Sequence, residues 1–147
     1  MKKKKETHDA DVKNVLKNDG VPSHLLDAFH KYENVTTTNL EKLRKELGMG
    51  SWAVRIVYND IFGGVVIQQL PGEGNRKHYH SDSDENWVIL DGMWKWWIQG
   101  KGDQIVQKGD IVLVPKNTLH KITCIGHFPG ARYAIVKPDV DHIYIDE

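Results

Sequence analysis

The feature that most constrains this chain is a change of period at Gly50. From there to the C-terminus, apolar residues alternate in short runs, and no stretch of helical spacing intervenes. The runs WAVRIVY, GGVVIQQL, NWVILDG, MWKWWIQ, DQIVQ, DIVLVP, HKITCI and ARYAIVKP are rich in β-branched and aromatic residues. Turn residues punctuate them: Asn59-Asp60, Pro71-Gly72, Asp91-Gly92, Gly100 to Gly102, Gly109-Asp110 and Pro129-Gly130. Many short strands with turns at regular spacing predict a sandwich or barrel. The tail, VDHIYIDE, also alternates and is expected to add an edge strand.

Before Gly50 the spacing is helical. Val12, Val15 and Leu16 mark one short helix ending at Asp19-Gly20. A second starts at Pro22-Ser23 and carries the stripe Leu25, Leu26, Phe29 and Tyr32. A third opens on the capping box Thr38-Asn39-Leu40-Glu41, shares a face among Leu40, Leu43 and Leu47, and stops at Gly48. Each is too short to stand alone. The expected organisation is therefore a helical segment, residues 1–50, packed on a β domain, residues 51–147.

At 147 residues the chain has enough length for one core, and its 20 basic and 20 acidic side chains cancel. That balance, with no basic stripe, argues against nucleic acid as a partner. No apolar run approaches membrane-spanning length, and the basic start MKKKK leads into the polar ETHDADVKN rather than an apolar h-region. Lys2 to Lys5 read as a solvated, disordered tip. The single cysteine, Cys124, cannot form an internal disulfide, which suits a reducing cytoplasm.

Chemistry concentrates between Gly72 and Gly92. His78 and His80, two apart, project from one face of a strand, and Glu85 opens the next one. The segment GDIVLVPKNTLH brings His120 after another strand and a proline-marked loop. Three imidazoles and a carboxylate on strands suit one divalent transition metal, with Fe, Mn, Ni, Zn and Cu all open.

These two segments resemble the cupin superfamily. Gly72, His78, His80, Glu85 and Gly92 meet the spacing of its first motif; Gly109, Pro115 and His120 fit the second. Asn117 stands where that motif has glycine, and Cys124 where it has asparagine. The resemblance covers roughly residues 50 to 140. It implies a double-stranded β-helix, a jelly-roll barrel, with the metal inside, ligated by His78, His80, Glu85 and His120, and with positions left for a small-molecule substrate.

Phase propagates from the ligands along each strand. Trp87 and Ile89 follow Glu85 inward; Trp94, Trp96 and Ile98 face the same cavity, leaving Lys95 and Trp97 outside. Ile122 and Cys124 follow His120, and Val112 and Val114 complete that wall. The indoles are either substrate-lining walls or plain core. Cys124 is a buried small residue, a neighbour of the ligands or an extra soft ligand. Of Gln68 and Gln69 only one faces in; Gln69 is carried as a candidate substrate contact. Arg76, on the approach to the histidines, would clamp a carboxylate or phosphate, or is simply exposed. Arg55, Tyr58, Arg132 and Tyr133 are expected in exterior packing.

Three functions follow. RKHYH, Glu85 and His120 are locally similar to the 3-hydroxyanthranilate dioxygenase family, which implies an Fe(II)-dependent dioxygenase with Glu85 at the catalytic centre. Glu85-Asn86-Trp87-Val88 is similar to a stretch of type II mannose-6-phosphate isomerases, implying an isomerase, epimerase or lyase on a sugar phosphate or small acid. The third is a non-catalytic metal- or sugar-binding protein. The N-terminal helices suggest a homodimer, as barrels with exposed edge strands often pair.

Overall fold

The computed structural model describes the backbone of residues 3–7 and residues 28–145 in full. Among the described residues, eleven strands and one helix run in the order β1 (Lys3–Thr7), α1 (Leu40–Leu47), β2 (Trp52–Tyr58), β3 (Gly63–Gln69), β4 (His78–Tyr79), β5 (Glu85–Asp91), β6 (Met93–Ile98), β7 (Gly102–Gln107), β8 (Ile111–Val114), β9 (His120–Ile125), β10 (Gly130–Val136) and β11 (Asp141–Ile145). They form two antiparallel sheets, a six-stranded one ordered β1-β11-β4-β9-β6-β7 and a five-stranded one ordered β2-β3-β10-β5-β8. This is the jelly-roll arrangement of a mainly β protein.

The period-two pattern does what it should. Burial alternates along β5, β6, β8 and β9, so Glu85, Trp87, Ile89, Trp94, Trp96, Ile98, Val112, Val114, His120, Ile122 and Cys124 are buried together. Trp87, Trp94, Trp96, Ile122 and Ala134 centre an apolar core shared by both sheets. β3 breaks the alternation, being buried at every position, because the five-stranded sheet is covered on its outer face as well. There Tyr32, Leu43, Trp52, Val54 and Val66 form a second cluster.

α1 provides that cover. Asn39, not Thr38, is its N-cap: the Asn39 side chain accepts from Lys42 N–H at 2.8 Å. Gly48 closes the helix at φ 90°, its N–H bonding Arg44 O. The first expected helix and the start of the second lie outside the described residues. Where the second should continue, Phe29 and Tyr32 are buried, but residues 29–34 run in turns tied by Lys31 N–H to Ala28 O and Glu33 N–H to His30 O.

Two expectations about the ends are corrected. Lys3–Thr7 is not a disordered tip; it pairs antiparallel with β11, Lys5 opposite Ile143. The tail is consequently no edge strand, since β11 lies between β1 and β4. No helix among the described residues is long and apolar enough to cross a membrane.

Candidate metal centre

β4, β9 and β11 lie side by side, His78 opposite both His120 and Tyr144. The approach to β4 is fastened to β9: Asn75 N–H bonds Ile122 O, and Asn75 Oδ1 accepts from Ile122 N–H. Gly74 permits this contact, since a Cβ there would lie 1.9 Å from Ile122 O. After β4, Asn117 at φ 64° donates its N–H to His80 O, so asparagine does occupy a left-handed position where the motif has glycine.

His78, His80, His120 and a fourth histidine, His142, are all buried, as is Glu85. Each ring is held the same way. Nδ1 lies 2.6 Å from Arg76 O in His78, 2.5 Å from Asp141 O in His80, 2.9 Å from Thr118 O in His120 and 3.2 Å from Val140 O in His142. A carbonyl only accepts, so every Nδ1 carries its proton, and every Nε2 is left with its lone pair for the cluster. The donor atoms sort into two overlapping triads, His78/His80/His142 and His80/Glu85/His120, each with its atoms within 4.8 Å of one another.

Glu85 completes the second triad, with Oε2 at 3.0 Å from His80 Nε2 and Oε1 at 3.3 Å from His120 Nε2. Burial presses this carboxyl upward, but the charges and hydrogen bonds of His80 and His120 outweigh it and hold it well below the usual range. An imidazole nitrogen this close to a carboxylate oxygen has positive charge between the two, either a proton on Nε2 or a metal ion bound by both. Ligands about 2.0–2.2 Å from one metal ion stand about 3 Å apart, which is the spacing of the Glu85 oxygens from His80 and His120 Nε2. The donor set fits a divalent transition metal.

The remaining site residues take varied places. Trp87 donates its indole N–H to Glu85 Oε1 at 2.9 Å. Trp94 donates to Asp91 O, whereas the buried Trp96 N–H has no hydrogen-bond partner among the described residues. Gln69 faces in and Gln68 out: Gln69 Oε1 accepts from Arg132, while Gln68 bonds Arg44 and the Gly48 and Gly50 carbonyls beneath α1. Burial pushes the Cys124 thiol up, and its S–H bonds Gln69 O. Arg76 stays partly exposed, 4.0 Å over the Tyr144 ring, which lies against His78 and His142.

Arg132 corrects the expectation of exterior packing. It is fully buried, its guanidinium 4.4 Å from the Trp87 ring, 5.0 Å from Trp94 and 5.9 Å from Trp96. Tyr133 packs outward as expected, in the cluster under α1. Pairing decides between them: Arg132 is opposite Ile67 and Ile89, and Ile89 faces in.

Fold and site together define a double-stranded β-helix protein with a buried, histidine-rich cluster that could hold a metal ion. The chain belongs to the cupins: the Cupin domain family model matches residues 65–142. Among solved structures it is similar to a protein with a double-stranded β-helix domain from Klebsiella pneumoniae, at 14% identity and TM-score 0.64, covering 77% of this chain and 100% of that one. It is similar to TT1209 from Thermus thermophilus, at 16% identity and TM-score 0.61, covering 71% and 98%. KdgF from Halomonas matches at 16% identity and TM-score 0.55, covering 60% and 81%. No curated protein matches the sequence. Likeness at these identities establishes the fold and leaves the reaction to the site.

Proposed function

We propose that this cupin is a metal-dependent enzyme acting on a small organic molecule, an oxidoreductase of the dioxygenase type. The observation that carries the reading is the set of buried Nε2 lone pairs, each fixed by a backbone carbonyl, converging with one carboxylate. His78, His80, Glu85 and His120 would hold the ion. Bound there, Fe(II) would supply a Lewis acid and a one-electron redox centre.

The chain's own residues do the rest. The Trp87 N–H fixes one oxygen of Glu85, setting how that carboxylate is presented to the ion. Trp87, Trp94 and Trp96 are fully buried and keep water from the centre. Arg132, stacked among them and bonded to Gln69, puts a permanent positive charge inside the fold, which favours a substrate with a carboxylate or another anionic group. Cys124 packs beside Gln69 and stays a thiol.

A second reading, an isomerase or lyase on a small acid or sugar phosphate, is favoured by Tyr144. Its buried phenol ring lies 5.4 Å from the His78 ring, beneath the Arg76 guanidinium. Such a group moves protons without an oxidant.

One experiment separates the readings. Protein purified without chelator is assayed for bound metal, then loaded anaerobically with Fe(II) and given a panel of small aromatic acids, hydroxy acids and sugar phosphates. O2 uptake that needs Fe(II) is the expected result. Turnover indifferent to air, with Mn, Zn or Ni, would move the assignment to the second reading. Failure to retain any transition metal overturns both.

A further inference from the structure

We propose that His142 is a fifth donor to the ion and takes the place of Glu85 when that carboxylate is withdrawn. The inference rests on the metal-binding reading above and adds a residue that lies outside both motif segments. His142 is on β11, next to β4, where Tyr144 stands opposite His78. It is fully buried. Its ring is stacked on His78 at 5.2 Å and 25° and stands edge-on to His80 at 4.6 Å and 89°. Its Nδ1 is tied to Val140 O, as the other three rings are tied to their carbonyls. Its remaining nitrogen groups with those of His78 and His80 within 4.8 Å.

The two triads share His80, and this fixes the stoichiometry. With Nδ1 bonded to Asp141 O, His80 offers one lone pair, directed along one line in the ring plane. It cannot serve two ions at once. The five side chains therefore hold one ion, which draws on either side of His80: Glu85 and His120 on one, His78 and His142 on the other. With Glu85 bound, the shell contains one anionic oxygen. With His142 in its place, the shell is all imidazole, one charge more positive, and suited to nitrogen-seeking ions such as Co, Ni, Cu and Zn over Mn or Mg.

The test uses the full-length chain and Co(II) or Cu(II) as probe, with affinity from competition titration and the shell from the Co(II) absorption and Cu(II) electron-resonance spectra. Glu85→Ala is expected to keep one ion per chain, weakened by about 10–100-fold, the scale at which a supporting partner matters, and to show an added nitrogen coupling. His142→Phe retains the stacked ring; in the Glu85→Ala background it should weaken binding further and remove the added nitrogen coupling. Circular dichroism establishes that each variant is folded. If Glu85→Ala alone loses the ion as fully as the double variant, or if His142→Phe changes neither affinity nor spectrum in that background, the proposal is overturned. A wild-type chain that binds no Co(II) or Cu(II), and is indistinguishable from His80→Ala, would instead sink the metal reading beneath it.

Discussion

Two of the buried indoles differ in the partner of a single N–H, and the difference is measurable. Trp87 gives its N–H to Glu85 at 2.9 Å, while the Trp96 N–H is buried with no acceptor among the described residues. A hydrogen bond to a charged group contributes about 1.5–3 kcal/mol, and a buried donor left unmade costs about 1–3 kcal/mol. Trp87→Phe removes the first; Trp96→Phe relieves the second and so offsets part of its lost volume. We expect Trp96→Phe to stay within about 1.5 kcal/mol of wild type in urea unfolding, with Co(II) affinity unchanged. Trp87→Phe should lose more stability and bind Co(II) about 10–100-fold more weakly. Equal effects in both assays would mean that the bond to Glu85 contributes nothing. The burial of His78, His80, Glu85 and His120 was legible at this scale because a strand keeps its phase: once Glu85 and His120 are inward, Trp87, Ile122 and Cys124 have no choice. Arg132 was not legible. Its neighbours Tyr133 and Ile135 look like the inward set, and only pairing with Ile89 reverses that reading.

At the scale of elements, α1 packs on the sheet through Leu40, Leu43 and Leu47, and one polar side chain ties it to three further segments. Arg44 donates to Gln68 Oε1 and to Asp91 Oδ2, each at 2.6 Å, and reaches Pro129 O at 3.4 Å. It thus joins the helix, β3, the β5–β6 turn and the turn before β10. Burial presses the Asp91 carboxyl upward, but hydrogen bonds from Arg44 and the Gly92 N–H, with the Arg44 and Lys108 charges, hold it below its usual range. Asp91 keeps 38% of its side-chain exposure, so solvent screens the pair. Arg44→Ala is accordingly expected to cost only about 1–2 kcal/mol, mostly through Gln68 left without its donor. The pH course follows from the lowered value. The contribution is complete above the ordinary carboxylate range, near pH 4, and disappears as pH falls through the lower native value. The gap between wild type and Arg44→Ala in urea midpoint should be flat around neutrality and narrow below about pH 4; a gap that widened in acid would overturn this account. This covering helix also explains what the sequence concealed. A sheet buried on both faces erases the alternation that marks inside from outside, as β3 shows at all its positions. β11 hid His142 differently: Ile143 and Ile145 advertise one phase while His142 and Tyr144 occupy the other.

At the scale of the whole molecule, the two sheets leave four edges among the described residues, formed by β1 and β7 in one and β2 and β8 in the other. β7 and β8 are consecutive, joined by a turn that Asp110 N–H to Gln107 O closes, so two open edges meet at that turn. Ile105, Ile111 and Leu113 stand there at 57%, 69% and 60% exposure. An open apolar edge is a pairing surface unless charge or a bulge blunts it. The simplest occupant is a second copy of the chain, because an antiparallel edge strand is self-complementary about a two-fold axis. A chain with 20 basic and 20 acidic side chains also brings no net repulsion to that encounter. The expected particle is a homodimer, with a molecular mass by light scattering of twice the chain at micromolar concentration. Ile111→Lys with Leu113→Lys should halve that mass and leave Co(II) binding intact, since the five candidate donors lie on β4, β5, β9 and β11 or, for His80, just after β4, and are all buried. A monomeric wild type, or a double-lysine variant that still dimerises, would remove this edge as the interface.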